Sequence, residues 1–223
     1  MNITLFFDAI TKYILGIFLV GLLIFVPAGT FNYWNGWLLM GVLFIPMFIA
    51  GIVMMIKSPE LLKNRLNAKE KENEQKVVLA LSALMFTSAF ILAGFNYRYN
   101  WIFLPNVLVI ISSIIFLMSY LMYAEVLREN AFLLRTIEVQ KNQKLIDNGL
   151  YKLVRHPMYT ATIFLFLSIP LILGSIQSFI IFLIYPFIII KRINNEEKVL
   201  ERDLKGYKDY KKKVKYKLIP YIY

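Results

Sequence analysis

The charges of this chain are sharply segregated, and that segregation leaves few folds open. From Tyr13 to Ile56 there is no Asp, Glu, Lys, Arg or His. The same holds from Val77 to Tyr97, from Tyr99 to Ala124 and from Pro157 to Ile190. A hydrocarbon core takes about 20 apolar residues per helical span. Inside it, only helices and closed barrels satisfy the backbone. These runs do not alternate as barrel strands would, so the expected fold class is an all-α integral membrane protein. With 59% hydrophobic residues, no soluble basic domain is left to explain the net charge of +11, so nucleic acid is not an expected partner. The excess of Lys and Arg is better explained by topology.

The first run, 44 residues long, is enough for two spans, about 8–28 and 36–56. Pro27-Ala-Gly-Thr30 and Asn32-Tyr-Trp-Asn-Gly36 supply the turn. Asp8 and Lys12 precede the run, and the beginning of the chain has neither a basic n-region nor a small-residue cleavage site, so span one is expected to be permanent. Residues 57–76 form a charged connector. Ser58-Pro59-Glu60 reads as a helix start, and Lys69, Glu70, Lys71, Glu72 and Glu74 as a solvated helix. Spans three (about 77–95) and four (about 102–124) are joined by a short loop. The last run, 34 residues, would make one helix of roughly 51 Å, far longer than a hydrocarbon core of about 30 Å. Leu173-Gly-Ser175 near its middle implies a hairpin of two short helices, the second continuing past Lys191. The expectation is about six transmembrane helices. All 25 Lys and Arg residues except Lys12 and Arg98 fall in three segments, 57–76, 125–156 and 191–223. Six spans put those segments on one side, so both termini are expected to be cytoplasmic.

The candidate chemistry sits at the two feet of that hairpin. Arg155-His156-Pro157 carries the only histidine. Taken alone, it is most simply a positive-inside residue and a proline-started helix. Arg192 and Glu196 are i, i+4 on a helix, but Glu before Arg is the better order for a surface pair. Glu197 adds a second carboxylate. The hairpin brings these groups back beside Arg155, His156 and Tyr159, making a polar pocket at the lipid interface. With one histidine and no cysteine, there are no thiolate sites or thiol nucleophiles, and no metal is expected. The Lys-rich tail 205–217 reads as a basic segment lying on anionic headgroups.

Gly149-Leu-Tyr151-x-x-Val-Arg-His156-Pro-Met-Tyr159, Arg192-x-x-x-Glu196-Glu197-x-x-Leu200, Tyr207-x-x-Tyr210 and Pro220, with Glu129-Asn130-x-Phe132 and Gln140 to Ile146, resemble the isoprenylcysteine carboxyl methyltransferase family. The phospholipid N-methyltransferases share much of this pattern. The resemblance covers roughly 77–223 and implies a methyltransferase-like core there, with 1–76 contributing two further spans and the connector. It implies an enzyme of the carboxyl O-methyltransferase type, with S-adenosylmethionine as the methyl donor. It implies that Gln140, Gln143, Lys144, Leu145, Ile146, Tyr151, His156, Pro157, Met158, Tyr159 and Glu196 bind that donor. Arg192 falls where the family meets the methyl acceptor, and Arg192 and Glu196 would be the catalytic pair. His156 would hold the donor through its ring nitrogens. For an amine acceptor, His156 or Glu197 would be candidate bases.

The implied acceptor is a lipophilic small molecule or lipid-linked group entering sideways from the membrane. Tyr120, Tyr123, Phe164 and Phe166 could line that route, although each alone is an ordinary packing or lipid-facing residue. Lys-, Ile- and Asn-rich composition points to a microbial membrane. A phospholipid-type N-methyltransferase is one alternative, and two others stay open. Membrane sterol reductases, which use a nicotinamide cofactor, have a similar C-terminal region but are longer. A non-catalytic protein or small transporter is disfavoured, because transport calls for ionisable groups within the spans.

Overall fold

The computed structural model describes residues 3–66, 73–130, 132–133, 139–140 and 143–223. Lys69, Glu70, Lys71 and Glu72 of the charged connector lie outside the described residues. The elements are α1 (Ile3–Ala28), α2 (Trp34–Lys57), α3 (Pro59–Leu66), α4 (Asn73–Arg98), α5 (Asn106–Glu129), α6 (Pro157–Ile172), α7 (Ile176–Phe182), α8 (Tyr185–Asp203) and α9 (Tyr207–Lys213), with a 3-10 turn at Gly149–Lys152. Among the described residues, five segments are long and apolar enough to cross a membrane: α1, α2, α4, α5 and the stretch Ile176–Asp203 spanning α7 and α8. The sixth expected span, α6, has 16 residues and is about 24 Å long, short of the hydrocarbon core. Asp8 and Lys12, which precede the uncharged run, lie inside α1 and pair with each other at 2.8 Å.

The bundle has two distinct ends. At one, the α1–α2 loop, the α4–α5 loop and the α6–α7 turn meet. The Tyr33 hydroxyl donates to the Leu173 carbonyl, and Asn35 Nδ2 donates to the Ile172 carbonyl at 2.9 Å. Leu104 N donates to the Gly174 carbonyl at 3.1 Å, beside a bridge between Phe103 and Ser175. The hairpin therefore turns where the sequence placed it. The α2–α3 junction, the α5–α6 segment and the α8–α9 tail then gather at the other end.

The second arm of the hairpin is broken between Phe182 and Tyr185, which was not expected. Pro186 lies in the first turn of α8 and has no N–H to continue the ladder from α7. Beyond it, α8 runs without interruption past Lys191. Packing is tight where α1 crosses α4. A Cβ on Gly94 would stand 2.7 Å from the Ile24 carbonyl oxygen, so only glycine lets the two backbones approach this closely. Large side chains such as Phe18, Ile114 and Phe187 face outward, as a lipid-facing surface requires. A second, smaller core sits at the site end, where Val126, Tyr151, Leu204, Tyr207, Tyr210 and Val214 are buried together.

Candidate active site

The site is assembled at the end of α5. Glu129, in its last turn, accepts the Leu150 N–H on both carboxylate oxygens at 3.2 and 3.0 Å. That contact pins the 3-10 turn to α5 and requires Gly149. Its φ is +52°, and a Cβ there would fall 1.6 Å from Glu129 Oε1. We expect Gly149→Ala to lower stability by about 1–3 kcal/mol, read as a drop in thermal unfolding temperature in detergent. An unchanged midpoint would remove this anchor from the account.

The helix end continues into the wall of a cleft. Asn130 Nδ2 donates to the Tyr151 hydroxyl at 3.0 Å, and Asn130 Oδ1 accepts the Phe132 N–H at 3.0 Å. Burial pushes the Tyr151 hydroxyl up to about 12, so it stays neutral and acts as a fixed wall. Its carbonyl accepts the Tyr210 hydroxyl at 2.7 Å.

Opposite stand the hairpin feet. Tyr159 lies between Arg192 and Glu196: Arg192 Nε donates to its hydroxyl at 2.9 Å, and that hydroxyl donates to Glu196 Oε2 at 2.5 Å. The unfavourable order of Arg192 and Glu196 along the helix thus has a structural counterpart, since a third side chain fixes their spacing. The His156 and Tyr159 rings are 5.8 Å apart.

Arg155 lines the cleft, and Glu197 is paired with it. Both are buried, Arg155 Nε donating to Glu197 Oε1 at 2.7 Å. Arg155 Nη1 also donates to the carbonyls of Val214 and Lys215 at 2.8 and 2.7 Å. Around the same carboxylate stand His156 Nε2 at 3.3 Å, the Tyr207 hydroxyl at 3.4 Å, and Lys211 and Lys217 at 3.6 Å each. A carboxylate held by so many donors is a structural anchor, and the reading of Glu197 as a candidate base is corrected. His156 spends Nε2 on that anchor, so Nδ1 is the ring nitrogen left for a ligand.

The tail is not a loose basic segment. It folds back as a strap, with Arg155 N donating to the Tyr216 carbonyl, His156 N to the Lys217 carbonyl and the Thr160 hydroxyl to the Leu218 carbonyl. Tyr207, Tyr210, Val214 and Leu218 are buried beneath it.

These elements enclose a cleft with about 830 Å³ of atom-free space, its open mouth included. Gln143, Lys144, Leu145, Ile146, Tyr151, His156, Pro157, Met158, Tyr159, Arg192 and Glu196 all line it. Gln140 is set differently: its Nε2 donates to the Phe132 carbonyl at 2.8 Å, and its backbone N–H to Gln143 Oε1 at 2.9 Å, so it shapes the loop. Asn130, Val199, Leu204, Tyr207 and Tyr210 also line the cleft without having been assigned a role from sequence. For the two tyrosines, the i, i+3 spacing was the available signal. Among the described residues, no group of three or more His, Asp or Glu is arranged to hold a metal.

Fold and site together define a class: a multi-pass helical membrane protein with a polar, aromatic-walled cleft at one end of its bundle. Residues 100–206 match the family model for phospholipid methyltransferase. The matched stretch runs from the α4–α5 loop to the end of α8 and includes both hairpin feet. Comparison with curated proteins returns no match.

Proposed function

We propose that the cleft binds S-adenosylmethionine and that the protein methylates the polar head of a lipophilic acceptor at the cytoplasmic surface of its membrane. The arrangement Arg192–Tyr159–Glu196 carries this reading. It presents a cation and an anion at a fixed spacing, in a cleft that Tyr151, Met158, Leu200 and Tyr207 also line. The residues present fit the donor. Leu145, Ile146, Tyr151, Met158 and Tyr207 offer apolar faces for a purine, and Glu196 offers a carboxylate for a ribose or a cationic group. S-adenosylmethionine, when bound, supplies an electrophilic methyl group on a sulfonium. The gathering of Lys- and Arg-rich segments at the cleft end supports a cytoplasmic placement.

The chain's own contribution is then positioning and electrostatics. A carboxylate acceptor is ionised at pH 7 and has no proton to lose. Arg192 orients it, because a planar guanidinium matches the carboxylate fork. This favours a carboxyl O-methyltransferase of the isoprenylcysteine type. The family match supports a second reading, N-methylation of a phospholipid amine. An amine must shed a proton, and with Glu197 locked to Arg155, Glu196 is the carboxylate on the cleft wall to receive it.

One experiment separates the two. Purified protein is supplied with methyl-labelled donor and a membrane lipid extract, and the organic-soluble product is treated with alkali. A methyl ester releases its label as volatile methanol; an N-methyl product keeps it. Volatile label supports the carboxylate reading, retained label the amine reading, and no incorporation in either form would overturn the proposed activity.

A further inference from the structure

Beyond Val214 the strap descends along the foot of α6. The Tyr216 carbonyl accepts the Arg155 N–H at 2.9 Å, the Lys217 carbonyl accepts the His156 N–H at 2.9 Å, and the Leu218 carbonyl accepts the Thr160 hydroxyl at 2.7 Å. Thr160 stands three residues past Pro157, where the last uncharged run begins. Leu218 is buried in the main core of the bundle, the core that holds Tyr159, Ile189 and Ile193. The residues after Leu218 therefore lie level with the first turn of α6, at the edge of the apolar belt. There the chain closes a tight turn. The N–H groups of Lys217, Leu218 and Ile219 converge on the main-chain oxygen of Tyr223 at 2.9, 2.8 and 3.1 Å.

The large side chains of this turn face outward. Tyr221 is 88% and Ile222 76% exposed, and Ile219 is exposed beside them. An exposed apolar turn is costly in water but suits the boundary of a bilayer, where tyrosine is a common residue. The charge around the turn selects the kind of boundary. Residues 205–217 carry seven Lys and one Asp. Lys211 and Lys217 are tied to Glu197, and Lys212 and Lys213 pair with Asp209 and Asp147. Lys205, Lys208 and Lys215 are exposed, and their side chains make no ion pair or hydrogen bond among the described residues. An apolar turn flanked by unneutralised lysines fits a surface of anionic lipid headgroups, to which each nearby basic residue adds attraction.

We propose that the 219–223 turn inserts at the membrane surface among anionic lipid headgroups, and that this contact holds the strap, and the cleft wall it supplies, in place. The strap makes the link. Tyr207 and Tyr210 line the cleft, and Lys211 and Lys217 tie the same segment to Glu197 on the hairpin foot. Anionic lipid at one end of the strap then favours the cleft that takes the donor, and the coupling is reciprocal. The insertion stands by itself; the coupling to donor binding rests on the methyl-transfer reading.

The chain has no cysteine, so Ile222→Cys can carry a single environment-sensitive fluorophore. In vesicles containing phosphatidylglycerol, its emission should shift to the blue and be quenched by lipids spin-labelled near the headgroup, more than by aqueous iodide. Quenching by iodide and not by lipid would overturn the insertion. The coupling is read as S-adenosylhomocysteine affinity in phosphatidylcholine nanodiscs with and without phosphatidylglycerol. Affinity should rise roughly fivefold with the anionic lipid, the lower end of a usual coupling between two sites. The rise should vanish in Tyr221→Ser/Ile222→Ser and in Lys205→Gln/Lys208→Gln/Lys215→Gln, while soluble glycerol phosphate produces none. A lipid-quenched label with equal affinity in both nanodiscs would overturn the coupling, and a rise produced by glycerol phosphate would overturn the membrane as its source. No S-adenosylhomocysteine binding in either nanodisc would overturn the methyl-transfer reading and the coupling with it, while the label still decides the insertion.

Discussion

Arg192→Ala is expected to reduce methyl transfer by roughly 10²–10³-fold, the usual effect of removing one preorganised electrostatic group from a reacting centre. Donor affinity should largely survive. The difference follows from the placement of the side chain. Arg192 Nε donates to the Tyr159 hydroxyl, which fixes the arm of the guanidinium against the cleft wall. Glu196, held by the same hydroxyl, remains for the donor. Arg192→Lys should recover only part of the rate, since an ammonium keeps the charge and loses the planar fork. Tyr159→Phe should fall between them, because both charges stay while the group that spaces them is lost. The check is a steady-state rate beside an S-adenosylhomocysteine titration for each variant. Equal loss of rate and of donor affinity in Arg192→Ala would reassign it to donor binding.

The second large effect concerns stability. Glu197→Gln should destabilise the protein by about 3–5 kcal/mol, because it leaves the buried Arg155 guanidinium without its counter-charge. The double variant Arg155→Met/Glu197→Leu should be less destabilised than the sum of the two single changes, since it removes both charges together. The carbonyls of Val214 and Lys215 still lose their donor, so recovery is incomplete. Two readouts apply: the thermal midpoint in detergent, and protease cleavage within 205–217. Cleavage should rise in Glu197→Gln before the bundle unfolds, because Glu197, Lys211 and Lys217 tie the strap to the hairpin foot. A tail equally protected in both proteins would contradict this role.

Which parts were legible in the sequence follows from how local their signals are. Segregated charge marks the spans, and Gly174 with the excess length of 157–190 marks the hairpin. The i, i+4 spacing of Arg192 and Glu196 puts both on one face, and the hairpin returns them to His156 and Tyr159. The strap was not legible. Lys205, Lys208, Lys211, Lys212, Lys213, Lys215 and Lys217 make that segment look solvated. The apolar stripe that buries it, Tyr207, Tyr210, Val214 and Leu218, is interleaved with them. Nor was the role of Glu197, whose partner Arg155 lies 42 residues away and can be found only once the hairpin is closed. The break before α8 had a local signal, Pro186, but a proline within an apolar run is common in spanning helices and does not by itself mark an interruption.

The central claim is that the cleft is a donor site, and calorimetric titration of the purified protein with S-adenosylhomocysteine tests it most directly. Saturable binding is predicted, weakened in Glu196→Ala and His156→Ala. The loss of Glu196 should be felt as a missing carboxylate on the cleft wall, and that of His156 as both a missing Nδ1 and a loosened Glu197 anchor. No binding of S-adenosylhomocysteine, with binding of NADPH in its place, would contradict the account.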